Sequence, residues 1–371
     1  MVFSDRTQVE IVERLSENDS QILINMVDEV LDSLQPEIRR KCVHCLVRIC
    51  GSRALLPKSL QIPLRYDSTK PAHYDDGFVS VWKGQHNGLE VTAKVLKVYP
   101  RTDLECIRRR FCREVIIRRC LCHSNVLPLL GVTMNGNQFV MVSEWMDDGN
   151  INEFLKKNTN VNRLELLREV TRGLVYMHDQ GVIHGNLNGY NILINKSGHA
   201  CLSGFDLVSI VSDQSTETLS MMERDITPWM SPELIGHEGA RRPTIESDCY
   251  ALGMVIYEVL SGQVPFNTCT PLVIFMRVLG GERPKRPQGE GGKLFTDGIW
   301  KLLELCWKHQ PSDRASAKDV LRYLEEIPSL PCPSSNMDVD VGTDSDYQSD
   351  CALLVCFLRF ILGSSLTILV L

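Results

Sequence analysis

The stretch VIHGNLNGYNILI, residues 182–194, places polar residues that could act on a ligand between two apolar runs. It contains His184 and three asparagines, of which Asn186 precedes Asn191 by five residues and Asn188 lies between them. An asparagine side chain offers an acceptor oxygen and two N–H donors, but it is not a usable base near neutral pH. The loop could therefore orient a polar ligand, whereas a proton transfer would need a carboxylate from elsewhere.

Further chemistry-bearing residues lie in a fixed order on both sides of this loop. Lys94 lies in the strand-like stretch VTAKVLK, and Glu114 follows twenty residues on in the helix-like stretch FCREV. After the loop come LSGFDL, WMSPEL, SDCYALG and CWKHQPSDRAS. Each stretch alone is weak evidence for a protein family, whereas the order and spacing of the whole set are informative.

This ordered set resembles the eukaryotic protein kinase domain of the tyrosine-kinase-like group, Ser/Thr type. The resemblance covers residues 63–328 and implies an α+β, bilobal fold, with a small β-rich lobe at 63–146 and a larger helical lobe at 147–328. In that family the strand lysine holds nucleotide phosphates and the helix carboxylate fixes the lysine, which implies these roles for Lys94 and Glu114. The other residues that the resemblance assigns to nucleotide binding are Val81, Ser143, Glu144, Met146, Asn191 and Leu193.

Several positions depart from the family's pattern. Asn186 stands where the family has the aspartate that accepts the substrate hydroxyl's proton, and Asn188 replaces a lysine. The metal-binding triplet Asp-Phe-Gly appears with its ends exchanged, as Gly204-Phe205-Asp206. Because Mg²⁺ demands strict geometry, we expect no Mg²⁺ site here.

The glycine-rich phosphate loop is degraded as well. In YDDGFVSVWKG, residues 74–84, Tyr74, Asp76 and Val79 fall where the family has three glycines. The carboxylates of Asp75 and Asp76 are expected to face the phosphates and repel them. We therefore expect weak, metal-independent ATP binding at best.

The residues that hold the family's fold together are kept: His184, Phe205, Asp248, Trp229, Pro232, Glu233 and Arg314. In the family, the glutamate after the proline pairs with the distant arginine. The combination predicts a pseudokinase that acts as a scaffold or as an allosteric partner of an active kinase. Two alternatives stay open: an unusual, weakly active Ser/Thr kinase that uses Asn186 and Asp206 in altered roles, and a duplicate whose fold outlives its function.

The flanking regions differ in character. Residues 1–62 predict a helical region, with helices at 7–15, 20–34 and 37–50, and Gly51 suits the end of the last. In its CVHC stretch, Cys42, His44 and Cys45 have no second ligand pair at zinc spacing, so helix packing is expected. Residues 329–350 predict an acidic, disordered linker.

The last 21 residues, 351–371, are apolar enough for a C-terminal transmembrane anchor; a helix folded onto the domain is the alternative. The formal net charge of −6 makes nucleic acid an unexpected partner. Because no export signal is visible, the fourteen cysteines are expected to be reduced thiols. We expect cytosolic signalling proteins as partners, and a location in the cytoplasm or on a cytosol-facing membrane.

Overall fold

The computed structural model describes residues 15–75, 79–98, 103–204, 227–236 and 242–327. The features predicted from sequence that lie outside these ranges are most of the helix at 7–15, Asp76, Phe205, Asp206, the linker at 329–350 and the tail at 351–371. No helix within the described ranges combines the length and the apolar character that a bilayer crossing requires.

Two helices open the described chain, as the sequence predicts. Helix α1 (Glu17–Val30) begins where the Ser16 side chain accepts a hydrogen bond from the Asp19 amide, and helix α2 (Pro36–Arg53) has proline in its first turn. The expected end of α2 at Gly51 is wrong, because the helix continues to Arg53 and ends at Ala54 with a φ of 56°. Gly51 instead lies against another helix, as described below.

The small lobe contains a six-stranded antiparallel sheet. Its strands are β1 (Arg65–Tyr66), β2 (Tyr74–Asp75), β3 (Val79–His86), β4 (Leu89–Leu96), β5 (Gly131–Asn135) and β6 (Gln138–Glu144). They lie in the order β1-β3-β4-β6-β5, and β2 also pairs with β3. Helix α3 (Leu104–Arg119) packs on the sheet, with the rings of Phe111 and Phe139 5.3 Å apart.

Most of the strand pattern was predictable. The hairpin β3–β4 turns at Asn87-Gly88, where both residues have positive φ, as a two-residue hairpin loop requires. The apolar run at 125–132 also predicts a strand, but only its last two residues form one, in β5 (Gly131–Asn135). Pro128 lies in the predicted span and lacks the N–H that a strand ladder needs.

The large lobe is built around one central helix. It contains α4 (Ile151–Lys157), α5 (Arg163–Asp179), the hairpin β7 (Ile192–Ile194) and β8 (Ala200–Leu202), α6 (Pro232–Ile235), α7 (Ile245–Ser261), α8 (Pro271–Leu279), α9 (Asp297–Cys306) and α10 (Ala317–Glu326). Helix α7 is buried along nearly its whole length, and Thr244 and Ser247 form a capping box at its start. The loop between α5 and β7 contains His184 and the three asparagines.

The predicted pairing of Glu233 with Arg314 is confirmed. The Arg314 Nη1 and Nη2 atoms donate to the two Glu233 carboxylate oxygens at 2.7 and 2.6 Å, and the Arg314 side chain is 1% exposed. The guanidinium also lies over the Tyr250 ring, 5.2 Å from its centroid. This pair joins α6 to the segment between α9 and α10.

Arg314→Met should lower the free energy of unfolding by about 3–5 kcal/mol, because it leaves the Glu233 carboxylate without its buried cation. Chemical denaturation of the full chain measures this. The matched control is Arg322→Met, which removes an exposed ion pair with Asp319 and should change stability by less than about 1 kcal/mol. Equal effects of the two changes would contradict the assigned role of the pair.

Candidate functional site

A buried carboxylate on α7 holds the start of the candidate loop. Asp248 accepts hydrogen bonds from the backbone amides of His184 at 2.8 Å and Gly185 at 2.9 Å, and its Oδ2 lies 2.9 Å from His178 Nε2. Gly185 has a φ of 74°, a left-handed conformation that favours glycine. Burial lowers the pKa of His184 to about 4, with the Asp248 charge opposing and the Arg118 charge adding to the shift, so the imidazole is neutral at pH 7.

The three asparagines form a network with one another. Asn188 Nδ2 donates to both the backbone oxygen and Oδ1 of Asn186 at 3.0 Å, and Asn191 Nδ2 donates to the same backbone oxygen at 2.8 Å. Asn188 Oδ1 accepts from the amides of Tyr190 and Asn191 at 3.0 and 3.1 Å. Asn188 thus acts as a cap on the turn that follows it, and the loop's amides stabilise its shape.

Gly204 lies directly against this network. A Cβ atom at position 204 would lie 2.1 Å from Asn191 Oδ1 and 2.3 Å from its Cγ, so a side chain there would collide with the Asn191 amide. Ser203 fixes the neighbouring backbone, since its amide and hydroxyl donate to the Asn191 backbone oxygen at 2.8 and 3.0 Å. An aspartate at position 204 would therefore require Asn191 to turn away from Asn186.

Gly204 supplies no side-chain ligand for a magnesium ion at this position. Mg²⁺ in phosphoryl-transfer sites is held through one or two carboxylates, whereas Gly204 has no side-chain oxygen and the Asn191 amide donates to Asn186. Within the described part of the chain, no three His, Cys, Asp or Glu side chains are grouped to hold a metal. Asp206 lies outside those residues.

Several residues that the resemblance assigns to nucleotide binding lie on adjacent strands of the small lobe. Lys94 on β4 pairs in register with Val81 on β3, and Thr92 pairs with Ser143 on β6. The Thr92 hydroxyl donates to the backbone oxygen of Glu144 at 3.3 Å. The Thr92 hydroxyl therefore partly occupies the backbone oxygen of Glu144, next to the residues assigned to nucleotide binding.

Two further residues assigned to nucleotide binding, Met146 and Leu193, lie where the two lobes meet. Met146, in the segment after β6, is buried. Leu193 on β7 pairs with Asn150 in an antiparallel bridge, and the next amide, of Ile194, donates to the Gly149 backbone oxygen at 3.0 Å. The segment after β6 and β7 are thus held together by backbone hydrogen bonds where the two lobes meet.

Glu114 has a partner that sequence reasoning missed. It lies on α3, and its Oε1 accepts from Arg118 Nε at 2.9 Å, with the two side chains 16% and 10% exposed. Arg118 also lies close enough to His184 for its charge to affect that pKa. The available signal was the i,i+4 spacing of Glu and Arg in EVIIR.

The negative charge of Asp75 is partly offset by a neighbouring cation that the sequence analysis did not predict. The Asp75 carboxylate on β2 contacts the Lys97 ammonium, and this hydrogen bond holds the pKa of Asp75 below its usual range. Repulsion of phosphates by Asp75 is therefore partly offset. Of the three residues expected where the family has glycines, Tyr74 and Val79 lie in described positions, and Tyr74 is exposed while Val79 is buried.

A second buried carboxylate supports the far end of the loop. Glu258 on α7 accepts from Asn152 Nδ2 at 2.6 Å, Trp229 Nε1 at 2.8 Å and the Gly189 amide at 3.1 Å. Burial raises the pKa of Glu258 to about 7. A Cβ at position 189 would lie 2.5 Å from Glu258 Oε1, so glycine is needed for this close approach. Sequence analysis did not identify Glu258, because nothing local marks it.

Comparison with known proteins agrees with this architecture. Residues 75–324 match the family model for the protein tyrosine and serine/threonine kinases. The chain therefore belongs to the protein kinase family.

Similar proteins come from several organisms. The chain is 26% identical to serine/threonine-protein kinase STY17 of Arabidopsis thaliana over 79% of this chain and 52% of that protein. It is 29% identical to STY46 of the same plant over 67% of this chain and 42% of that protein. It is also 29% identical to ephrin type-A receptor 5 of Rattus norvegicus over 64% of this chain and 23% of that protein. The chain thus spans about half, or less, of the length of these relatives.

Proposed function

We propose that this kinase-family signalling protein is a pseudokinase, which binds other proteins through the kinase fold and does not transfer phosphate efficiently. The observation that carries the proposal is the amide network at Asn186. The side-chain oxygen at this position already accepts a hydrogen bond from Asn188 Nδ2 at 3.0 Å. The residue that the family uses as a proton acceptor is here a neutral part of the loop's own structure.

The chemical cost of this arrangement is large. General acid–base catalysis contributes about 10²–10⁴-fold to a reaction rate, and an amide cannot replace the carboxylate that supplies it. Asn188 also lacks the charge of the family's lysine, which would stabilise the transferring phosphate. Asn188 is instead used as a backbone cap. Two separate contributions to phosphoryl transfer are therefore missing from one loop.

Nucleotide binding is proposed to be weak and independent of Mg²⁺. The arrangement of Lys94, Val81, Ser143 and Leu193 supports some affinity for an adenine ring. The absent glycines in the phosphate loop and the absent oxygen at Gly204 argue against firm binding of phosphates and metal.

The intact scaffold supports a binding role. Buried pairs such as Glu233–Arg314 and the Asp248 contacts to the loop keep the fold stable without any need for turnover. We propose cytosolic signalling proteins, including an active kinase, as partners of this fold. The apolar tail at 351–371 remains a proposed anchor to a cytosol-facing membrane.

One observation favours a second candidate function, weak Ser/Thr kinase activity. STY17 and STY46 are both named serine/threonine-protein kinases. In this alternative Asn186 would orient the substrate hydroxyl, and Asp206 would take over part of the metal site. Activity measurements on the unmodified chain separate the two candidates.

The nucleotide proposal predicts a small thermal shift. With ATP at a concentration equal to a millimolar dissociation constant, binding adds about 0.4 kcal/mol and raises the melting temperature by about 1 °C. Adding Mg²⁺ should not increase this shift, and Lys94→Met should abolish it. A rise of several degrees that needs Mg²⁺ would contradict the proposal.

The catalytic proposal predicts that restoring the family's residues restores activity. The fourfold variant Asn186→Asp, Asn188→Lys, Gly204→Asp and Asp206→Gly should show autophosphorylation, while the unmodified chain stays at background. The aspartate at position 204 requires the Asn191 side chain to turn aside, because the Cβ at 204 would lie 2.1 Å from Asn191 Oδ1.

The matched control for this variant contains the other three changes and keeps Asn186. Its autophosphorylation should be at least about 10²-fold lower than that of the fourfold variant, because it lacks the base. An unmodified chain as active as the fourfold variant would contradict the pseudokinase proposal.

A further inference from the structure

The outer side of helix α3 is covered by the chain's own N-terminal helices. Phe111, Cys112 and Val115 of α3 are fully buried, and they share one continuous core with Ile49 and Cys50 of α2. Helix α3 therefore has apolar contacts on two sides, with the sheet and with α1–α2. Within the CVHC stretch, Cys42 joins this core while His44 is exposed, as helix packing requires.

The two helices approach closely at Gly51. A Cβ at this position would lie 3.3 Å from the Cβ of Arg113 and 3.8 Å from the backbone oxygen of Arg109. A side chain here would require Arg113 to give way by a few tenths of an ångström, which favours glycine at this position despite its poor helix propensity. The glycine in α2 therefore allows close packing of α2 on α3.

Charged groups hold the C-terminal end of α3. Arg119 Nη2 lies 2.8 Å from Asp32 Oδ2, and its Nε lies 3.4 Å from Asp28 Oδ1. Arg39 on α2 donates to the backbone oxygen of Cys120, the C-cap of α3, at 2.9 Å. A cation at this position is favourable for a helix end, whose carbonyl groups lack internal partners.

The anionic side of this contact is itself well fixed. Asp28 is 5% exposed, and its Oδ2 accepts from the Ser59 hydroxyl at 2.5 Å. The hydrogen bond to Arg119 lowers the pKa of Asp32, because the guanidinium favours the ionised carboxylate. The segment 17–60 thus presents a preorganised surface to α3.

We infer that residues 17–60, here called the N-terminal clamp, are a permanent intramolecular partner that sets the position of α3. The N-terminal clamp holds α3, which contains Glu114, in place. Because the clamp covers the outer face of α3, that face is not available to another protein. Signalling partners must therefore bind to other surfaces. This inference does not depend on whether the chain transfers phosphate.

Hydrogen exchange of the full chain tests the inference. The variant Asp28→Asn with Asp32→Asn removes both carboxylates that face Arg119 with little change of shape. Amide exchange should rise about tenfold in residues 17–53 and 104–119 together, while helix α5 (163–179) in the large lobe stays protected. The matched control is Glu105→Gln, which removes an exposed ion pair with Arg109 on the same helix and should leave exchange unchanged.

Exchange that rises in residues 17–53 alone would overturn the inference, because the clamp would then loosen without moving α3. An equal rise in α3 and α5 would also overturn it, because the effect would then be a general loss of stability.

A second measurement cuts the chain beside the clamp. A protease site inserted in the exposed turn at 67–70 of the full chain allows cleavage after folding. The N-terminal piece should stay bound during size-exclusion chromatography. Separation of the two pieces, with unchanged protection of α3, would contradict a permanent partner.

Discussion

The Asp248 carboxylate is the contact on which the candidate site depends. It binds the main chain of His184 and Gly185, and it therefore fixes the start of the loop whatever side chain stands at position 186. A buried carboxylate with several N–H donors is strongly committed to its geometry, since losing one donor would leave charge unsatisfied. The proposed loss of the reactive group at position 186 is therefore compatible with an intact loop backbone.

Beyond this anchor, the loop is held together by neutral amide groups. Isolated buried charges are costly, whereas neutral amides can satisfy one another at little cost. Asn186, Asn188 and Asn191 do so through three hydrogen bonds from two amide nitrogens, and Gly204 provides the space that the Asn191 side chain needs. The loop therefore has a self-consistent hydrogen-bonded structure, which supports the proposed binding role.

Features with local causes were predictable from sequence. The Asn87-Gly88 hairpin, helix α3 and the Glu233–Arg314 pair follow from turn chemistry, periodicity or family spacing. The features that were missed depend on tertiary contacts. Gly51 reads as a helix end until the close approach of Arg113 is known, and Glu258 has no mark of its own until Asn152 and Trp229 meet it. Periodicity placed a strand at 125–132, but backbone hydrogen bonding begins the strand only at Gly131.

The most direct measurement is transfer of radioactive phosphate from ATP, with Mg²⁺ present, by the purified chain and by its Asn186→Ala variant. Since the amide at position 186 accepts no proton, both proteins should give the same signal as a sample without protein. Labelling by the unmodified chain that disappears in the variant would show that Asn186 supports catalysis, and it would contradict the account.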